Sequence, residues 1–133
     1  MVAVAAVAVI GIQLIPVERT NPPVRSEIQA PDSVSSVLQR ACYNCHSNQT
    51  NWPWYSYVAP ASWYLVRHVN RGRGDLNFSE WPVFDFEAQE LTMDDIHKQI
   101  EKGRMPLKSY LLLHPEARLS EADREILLQW TDR

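Results

Sequence analysis

The chain has 133 residues, 45% of them hydrophobic, and a formal net charge of −3. That length supports one domain around one core. The acidic balance excludes the basic footprint of a nucleic-acid binder, and nine prolines with five tryptophans point to a loop-rich domain with large aromatic packing.

Residues 1–15, MVAVAAVAVIGIQLI, are almost wholly apolar. The run reads as an export signal or membrane anchor, with a buried core helix as the plainer alternative. Fifteen helical residues span about 22 Å, short of the ~30 Å hydrocarbon core. No basic residue precedes the run and no A-x-A site follows it. An uncleaved anchor, in a chain that continues upstream, is the expectation. Residues 16–31 carry Pro16, Pro22, Pro23 and Pro31 without an apolar period, and read as an extended linker. The remaining residues, 32–133, are expected to form the globular domain.

Asp32 or Ser33 can cap a helix through about Tyr43. Val34, Val37, Leu38 and Ala41 then form one buried stripe. The stripe leads into Cys42-Tyr43-Asn44-Cys45-His46, which holds both cysteines of the chain. This is the C-x-x-C-H pattern of covalent c-type haem attachment. Thiols three residues apart lie about one helical turn apart and can each form a thioether with a haem vinyl group. His46 follows as the proximal iron ligand. Other readings have less support. No second C-x-x-C or H-x-x-x-H completes a zinc site. A thioredoxin-like pair needs its thiol at a helix start within a βαβ pattern. A disulfide here would close almost no loop.

Beyond the motif, 47–59 is loop-like and aromatic. Pro60 or Ser62 starts a second helix through about Asn70, ended by Gly72 and Gly74. The stretch 75–91 reads as irregular, since Trp81-Pro82 discourages helix. Thr92 caps a third helix with Met93, Ile96, His97 and Ile100 on one face, stopped by Gly103. Ser120, with Asp123 three residues on, caps the last helix, whose inner face is Leu119, Ala122, Ile126, Leu127 and Trp130. No strand alternation persists, so the domain is expected to be all-α.

The sixth iron ligand is sought among Met93, Met105, His68, His97 and His114. Met105 is preferred. It sits in a Gly-x-Met-Pro loop between helices, and a soft thioether suits ferrous iron. His114 and His68 are the alternatives. A loop histidine bonded to its neighbours is the plainer role for His114, and a half-exposed helix residue or propionate contact for His68. Trp52, Trp54, Tyr55, Tyr57 and Trp63 can wall a haem pocket, although ordinary core packing explains most of them equally well. Arg67, Arg71, Arg73 and Lys108 can neutralise propionates or form a solvated basic face. His46 needs a carbonyl for its second ring nitrogen, expected near Pro53 or Pro60.

Taken together, ACYNCHSNQTNWPWYSYVAPASW, LNFSEW, GRMPLKSY and LLHPEARLS resemble the small bacterial membrane-anchored haem-binding domain proteins. The resemblance runs from Leu14 to Arg133 and implies haem binding through Cys42, Cys45 and His46. The usual basic residues before the apolar run are missing. The order of parts is also similar to class I cytochromes c, with about four helices around one covalently bound haem. That implies a crossing of the helices over 34–41 and 122–130. The departure is the aromatic-rich insertion from Gln49 to Glu90.

The leading expectation is a monohaem c-type cytochrome on the periplasmic side of the inner membrane. Haem c is its cofactor and a redox protein its transient partner. A haem-based sensor with an open or displaceable sixth site is the alternative. A peroxidase-like enzyme is a further one, and it would recruit His68 or His97 as distal base.

Overall fold

The computed structural model describes residues 1–132. Its elements are α1 (Val2–Gln13), α2 (Asp32–Ala41), α3 (Tyr43–His46), α4 (Ala61–Asp75), α5 (Phe86–Glu101), α6 (Lys108–Leu111) and α7 (Glu121–Thr131). Two 3₁₀ turns, Trp54–Tyr57 and Pro115–Ala117, join them. A single parallel bridge pairs Ser26 with Glu80, and no strand forms among the described residues. The fold class is therefore all-α. The four anticipated helices correspond to α2, α4, α5 and α7, while α3 and α6 are single turns.

Helix α2 forms as its periodicity predicts, with Val34, Val37, Leu38 and Ala41 buried. It packs on α7, and α7 packs on α5. Arg40 of α2 pairs with Asp123 of α7 at 2.8 Å and donates to the Glu116 carbonyl at 2.6 Å. Ser120 and Asp123 form the expected capping box of α7. The Ser120 N–H, more than Arg40, holds the Asp123 carboxyl below its ordinary value. Met93, Ile96 and Ile100 of α5 and Leu127 of α7 join α2 in the core, with Phe78 and Trp81 from the intervening loop. Ala122, expected on the inner face of α7, is exposed.

Two helix limits differ from the sequence reading. Helix α4 does not stop at Gly72 and Gly74 but runs through both to Asp75. Gly72 is retained inside the helix because another backbone lies against it, as described below. Helix α5 starts at Phe86, six residues before Thr92. Pro82 restricts only the residue before it, and the chain turns at once, with the Asp85 N–H donating to the Pro82 carbonyl at 3.1 Å. Asp85 then caps the helix through the Ala88 N–H, at 2.9 Å. Thr92 lies inside, its hydroxyl donating to the Ala88 carbonyl.

The proline-rich segment over 16–31 is extended and lies against the domain. Ile28 is buried in the core, and its N–H donates to the Phe78 carbonyl at 2.9 Å. Arg73 of α4 clasps the segment's start. Its Nε donates to the Ser47 carbonyl at 2.8 Å and its Nη1 to the Thr20 carbonyl at 2.9 Å. Its Nη2 reaches Asn21 Oδ1 at 2.9 Å and the Thr50 hydroxyl at 2.8 Å. A planar fork is needed to meet acceptors in so many directions, and lysine cannot replace it. Arg73→Ala should cost about 1–3 kcal/mol of stability and free the segment. Limited trypsinolysis checks this: cleavage at Arg19 and Arg25 should accelerate, and an unchanged rate would mean that the clasp does not hold the segment.

Candidate functional site

Helices α2 and α3 are nearly one helix, interrupted at Cys42. The N–H groups of Cys45 and His46 both donate to the Cys42 carbonyl, at 3.1 and 3.0 Å. The C-x-x-C-H string is thus a single helical turn, as its spacing requires. The two intervening residues fasten it. Tyr43 is buried, stacks on Phe78 at 5.4 Å and donates its hydroxyl to Glu27 at 2.6 Å. Asn44 donates to the Tyr110 hydroxyl at 2.9 Å, and its side-chain oxygen accepts from the Asn51 N–H at 2.9 Å. The motif's pattern leaves these positions free, so their roles are visible only in the packing.

Both hydrogen bonds of the His46 ring are made at Nδ1, with the Gly72 carbonyl at 2.9 Å and the Leu76 carbonyl at 3.1 Å. A carbonyl only accepts, so Nδ1 carries the proton and Nε2 keeps its lone pair. That tautomer can ligate a metal through Nε2. The orienting carbonyls come from the end of α4, not from the loop near Pro53 or Pro60. Helix α4 reaches the motif because residue 72 has no side chain. A Cβ there would lie 2.6 Å from the Cys45 carbonyl oxygen and 3.3 Å from its carbon. Gly72 was legible only as a helix stop; its requirement is a close approach between two backbones.

A cavity of about 460 Å³ opens beside this turn, within the size range of cofactor sites. Its walls include Leu38, Leu76, Phe78, Ile96 and Ile100, together with Cys42, His46 and Met105. Met105 is delivered by the end of α5. The Gly103 N–H donates to the Ile100 carbonyl and the Arg104 N–H to the Gln99 carbonyl, a Schellman turn. Gly103 takes φ +59°, a left-handed conformation that favours glycine. Met105 follows this reversal directly. Asp75 and Asp95 also line the cavity, and no lysine or arginine does.

Cys45 lines a neighbouring apolar cavity of about 150 Å³, with Tyr55, Tyr64, Leu65, His68 and Tyr110 among its walls. Both thiols are free and half-buried. Burial, reinforced by Cys45, pushes the Cys42 thiol up to about 12, against the opposing pull of Arg40. Burial also raises Cys45, opposed by Arg73.

The remaining expected site residues fall elsewhere. His114 accepts from the Tyr55 hydroxyl at Nε2, 2.6 Å, and its Nδ1 meets Glu116 at 2.8 Å. Both ring nitrogens are therefore committed. His68 Nδ1 donates to the Tyr64 carbonyl at 2.9 Å, and His97 bonds Thr131 across α5 and α7. None of these three histidines lines the larger cavity. Nor do Trp52, Trp54, Tyr57, Arg67 or Arg71. Trp54 and Tyr57 are 76% and 62% exposed, and both arginines are exposed on α4.

The two glycines of α4 should respond with opposite signs. Gly72→Ala drives a methyl into the Cys45 backbone and should cost about 1–3 kcal/mol. Gly74 has nothing within 4 Å of its Cβ position. Gly74→Ala should therefore stabilise the helix by about 0.5–1 kcal/mol. Thermal unfolding of both variants checks the pair; equal shifts would refute the close approach. The thiols supply a second check, because only the thiolate is nucleophilic. Chain prepared without haem should react with iodoacetamide at pH 8 at least about ten-fold more slowly than a free cysteine. The rate should climb as pH rises toward 12. Fast labelling at pH 8 would place both thiols in solvent.

The residues at the motif turn fit the ring of a haem: an apolar cavity wall that includes Cys42, the free Cys45 thiol one helical turn away beside the neighbouring cavity, and an imidazole whose Nε2 keeps its lone pair. No curated protein and no solved structure matches the chain. A family model does, over residues 7–133, and the chain belongs to the haem-binding domain family that it describes.

Proposed function

We propose that this haem-binding domain is a monohaem c-type cytochrome that carries electrons on the periplasmic side of the inner membrane. The observation that carries the reading is the shared cavity wall of His46, Cys42 and Met105. His46, fixed at Nδ1, would ligate iron through Nε2. Cys42 and Cys45 would bind the macrocycle covalently, and Met105 would take the sixth position. Bound haem supplies reversible one-electron chemistry at its iron.

The chain's own part is to fix the ligands and keep water away. Leu38, Phe78, Ile96 and Ile100 give the site a low dielectric, which limits reorganisation as charge changes. A methionine–histidine pair raises the reduction potential relative to two nitrogen ligands. The partner would be another redox protein, met transiently. Helix α1 would hold the domain to the membrane. At 12 residues it is about 18 Å long, and no helix among the described residues is long and apolar enough to cross a bilayer.

The visible spectrum with and without CO tests the reading. Oxidised protein should show the weak far-red band of sulfur–iron ligation, and reduced protein should ignore CO. Met105→Ala should abolish that band, open the iron to CO and lower the potential. An unchanged low-spin spectrum in Met105→Ala would remove Met105 as ligand. CO binding to the unaltered protein would favour the sensor reading.

A further inference from the structure

Helix α1 has no polar face. Gln13 is its one polar side chain, and Val4, Val7 and Ile10 are exposed around it. A helix apolar on all sides belongs in a core or in hydrocarbon, and here no residue of α1 is buried by the domain. Its last turn is nevertheless tied to the domain at one place. Gln13 Oε1 accepts from the Ala59 N–H at 2.9 Å, and Gln13 Nε2 donates to the Ala59 carbonyl at 3.2 Å. This reciprocal pair sets the end of α1 beside the 3₁₀ turn Trp54–Tyr57.

That turn exposes Trp54, Tyr57 and the adjoining Val58. Arg19 lies over the Tyr57 ring, 4.3 Å from its centroid, and donates to the Ser56 carbonyl at 3.0 Å. Exposed tryptophan and tyrosine, each with an apolar body and a polar tip, are the side chains that bilayer interfaces enrich. A cation among them suits anionic headgroups. Gln13, Arg19, Tyr57 and Ala59 line one depression, so the end of the apolar helix adjoins the aromatic turn through Gln13.

We propose that the aromatic turn over 54–58 seats in the headgroup layer of the bilayer that receives α1, so that the domain lies on the membrane with this face down. The proposal rests on the membrane reading of α1 and adds an orientation to it. It also assigns Trp54 and Tyr57, outside the larger cavity, a role in lipid contact.

The test uses full-length, haem-loaded chain with vesicles of phosphatidylcholine and phosphatidylglycerol. Flotation reports binding, and hydroxyl-radical footprinting read by peptide mass reports exposure. The chain should float. Trp54 and Tyr57 should then oxidise about five-fold or more slowly than in buffer. Phe84 and Phe86, 97% and 77% exposed just before and at the start of α5, should oxidise at unchanged rates. Flotation without protection of Trp54 and Tyr57 would overturn the orientation while leaving the membrane reading intact. Failure to float would overturn both. Protection that appears in buffer and grows with protein concentration would also overturn the proposal, because a second copy of the chain would then cover the turn.

Discussion

The site depends on the hydrogen bond from His46 Nδ1 to the Gly72 carbonyl. That bond fixes a tautomer, and the tautomer decides which nitrogen is offered to a metal. It also requires α4 to bring its backbone against the motif turn, where a Cβ at residue 72 would have no room. The rest of α4 follows from that demand. Arg73, the next residue, bonds the Ser47 carbonyl just past the motif and gathers the extended segment over the same place. The Leu76 carbonyl supplies the second acceptor, and two residues on, Phe78 closes the cavity wall at 1% exposure. The Phe78 N–H donates back to the His46 carbonyl at 2.8 Å. Ring and backbone of His46 are therefore held by one stretch of chain.

Local patterns were legible in the sequence; long-range contacts were not. The motif turn, the buried stripe of α2 and the capping box of α7 depend on residues three or four apart, so spacing was enough to find them. Gly103 was also legible as a helix stop, because the left-handed turn it makes is a local event. Gly72 has the same local signal and the opposite outcome. Its reason to be glycine comes from Cys45, 27 positions away, and no window along the chain contains both. The early start of α5 was missed differently: Asp85 is a sound cap, but Trp81-Pro82 drew attention to the turn that precedes it. Met105 was singled out by loop chemistry, and it lies on the same cavity wall as His46. The aromatics Trp54 and Tyr57 were chosen by type alone, and type cannot tell a pocket wall from a surface.

The cavity's position explains why so small a domain can present one. Helices α2, α5 and α7 pack together on one side. Helices α3 and α4 pack with the 54–57 turn on the other. Cys42 is the joint between α2 and α3, and the larger cavity opens at the seam. Leu38 comes from the first group, His46 from the second, and Met105 from the connection that follows α5. A flat apolar group placed there would bury surface from both halves at once, at roughly 25 cal/mol per Å². Anything that binds the folded chain and not the unfolded one also stabilises the fold. A covalent link at Cys42, the joint itself, would make that coupling permanent. Cofactor and fold would then hold each other: the seam would offer a haem His46 and Met105, and the haem would fill the space that the side chains of the two halves leave open.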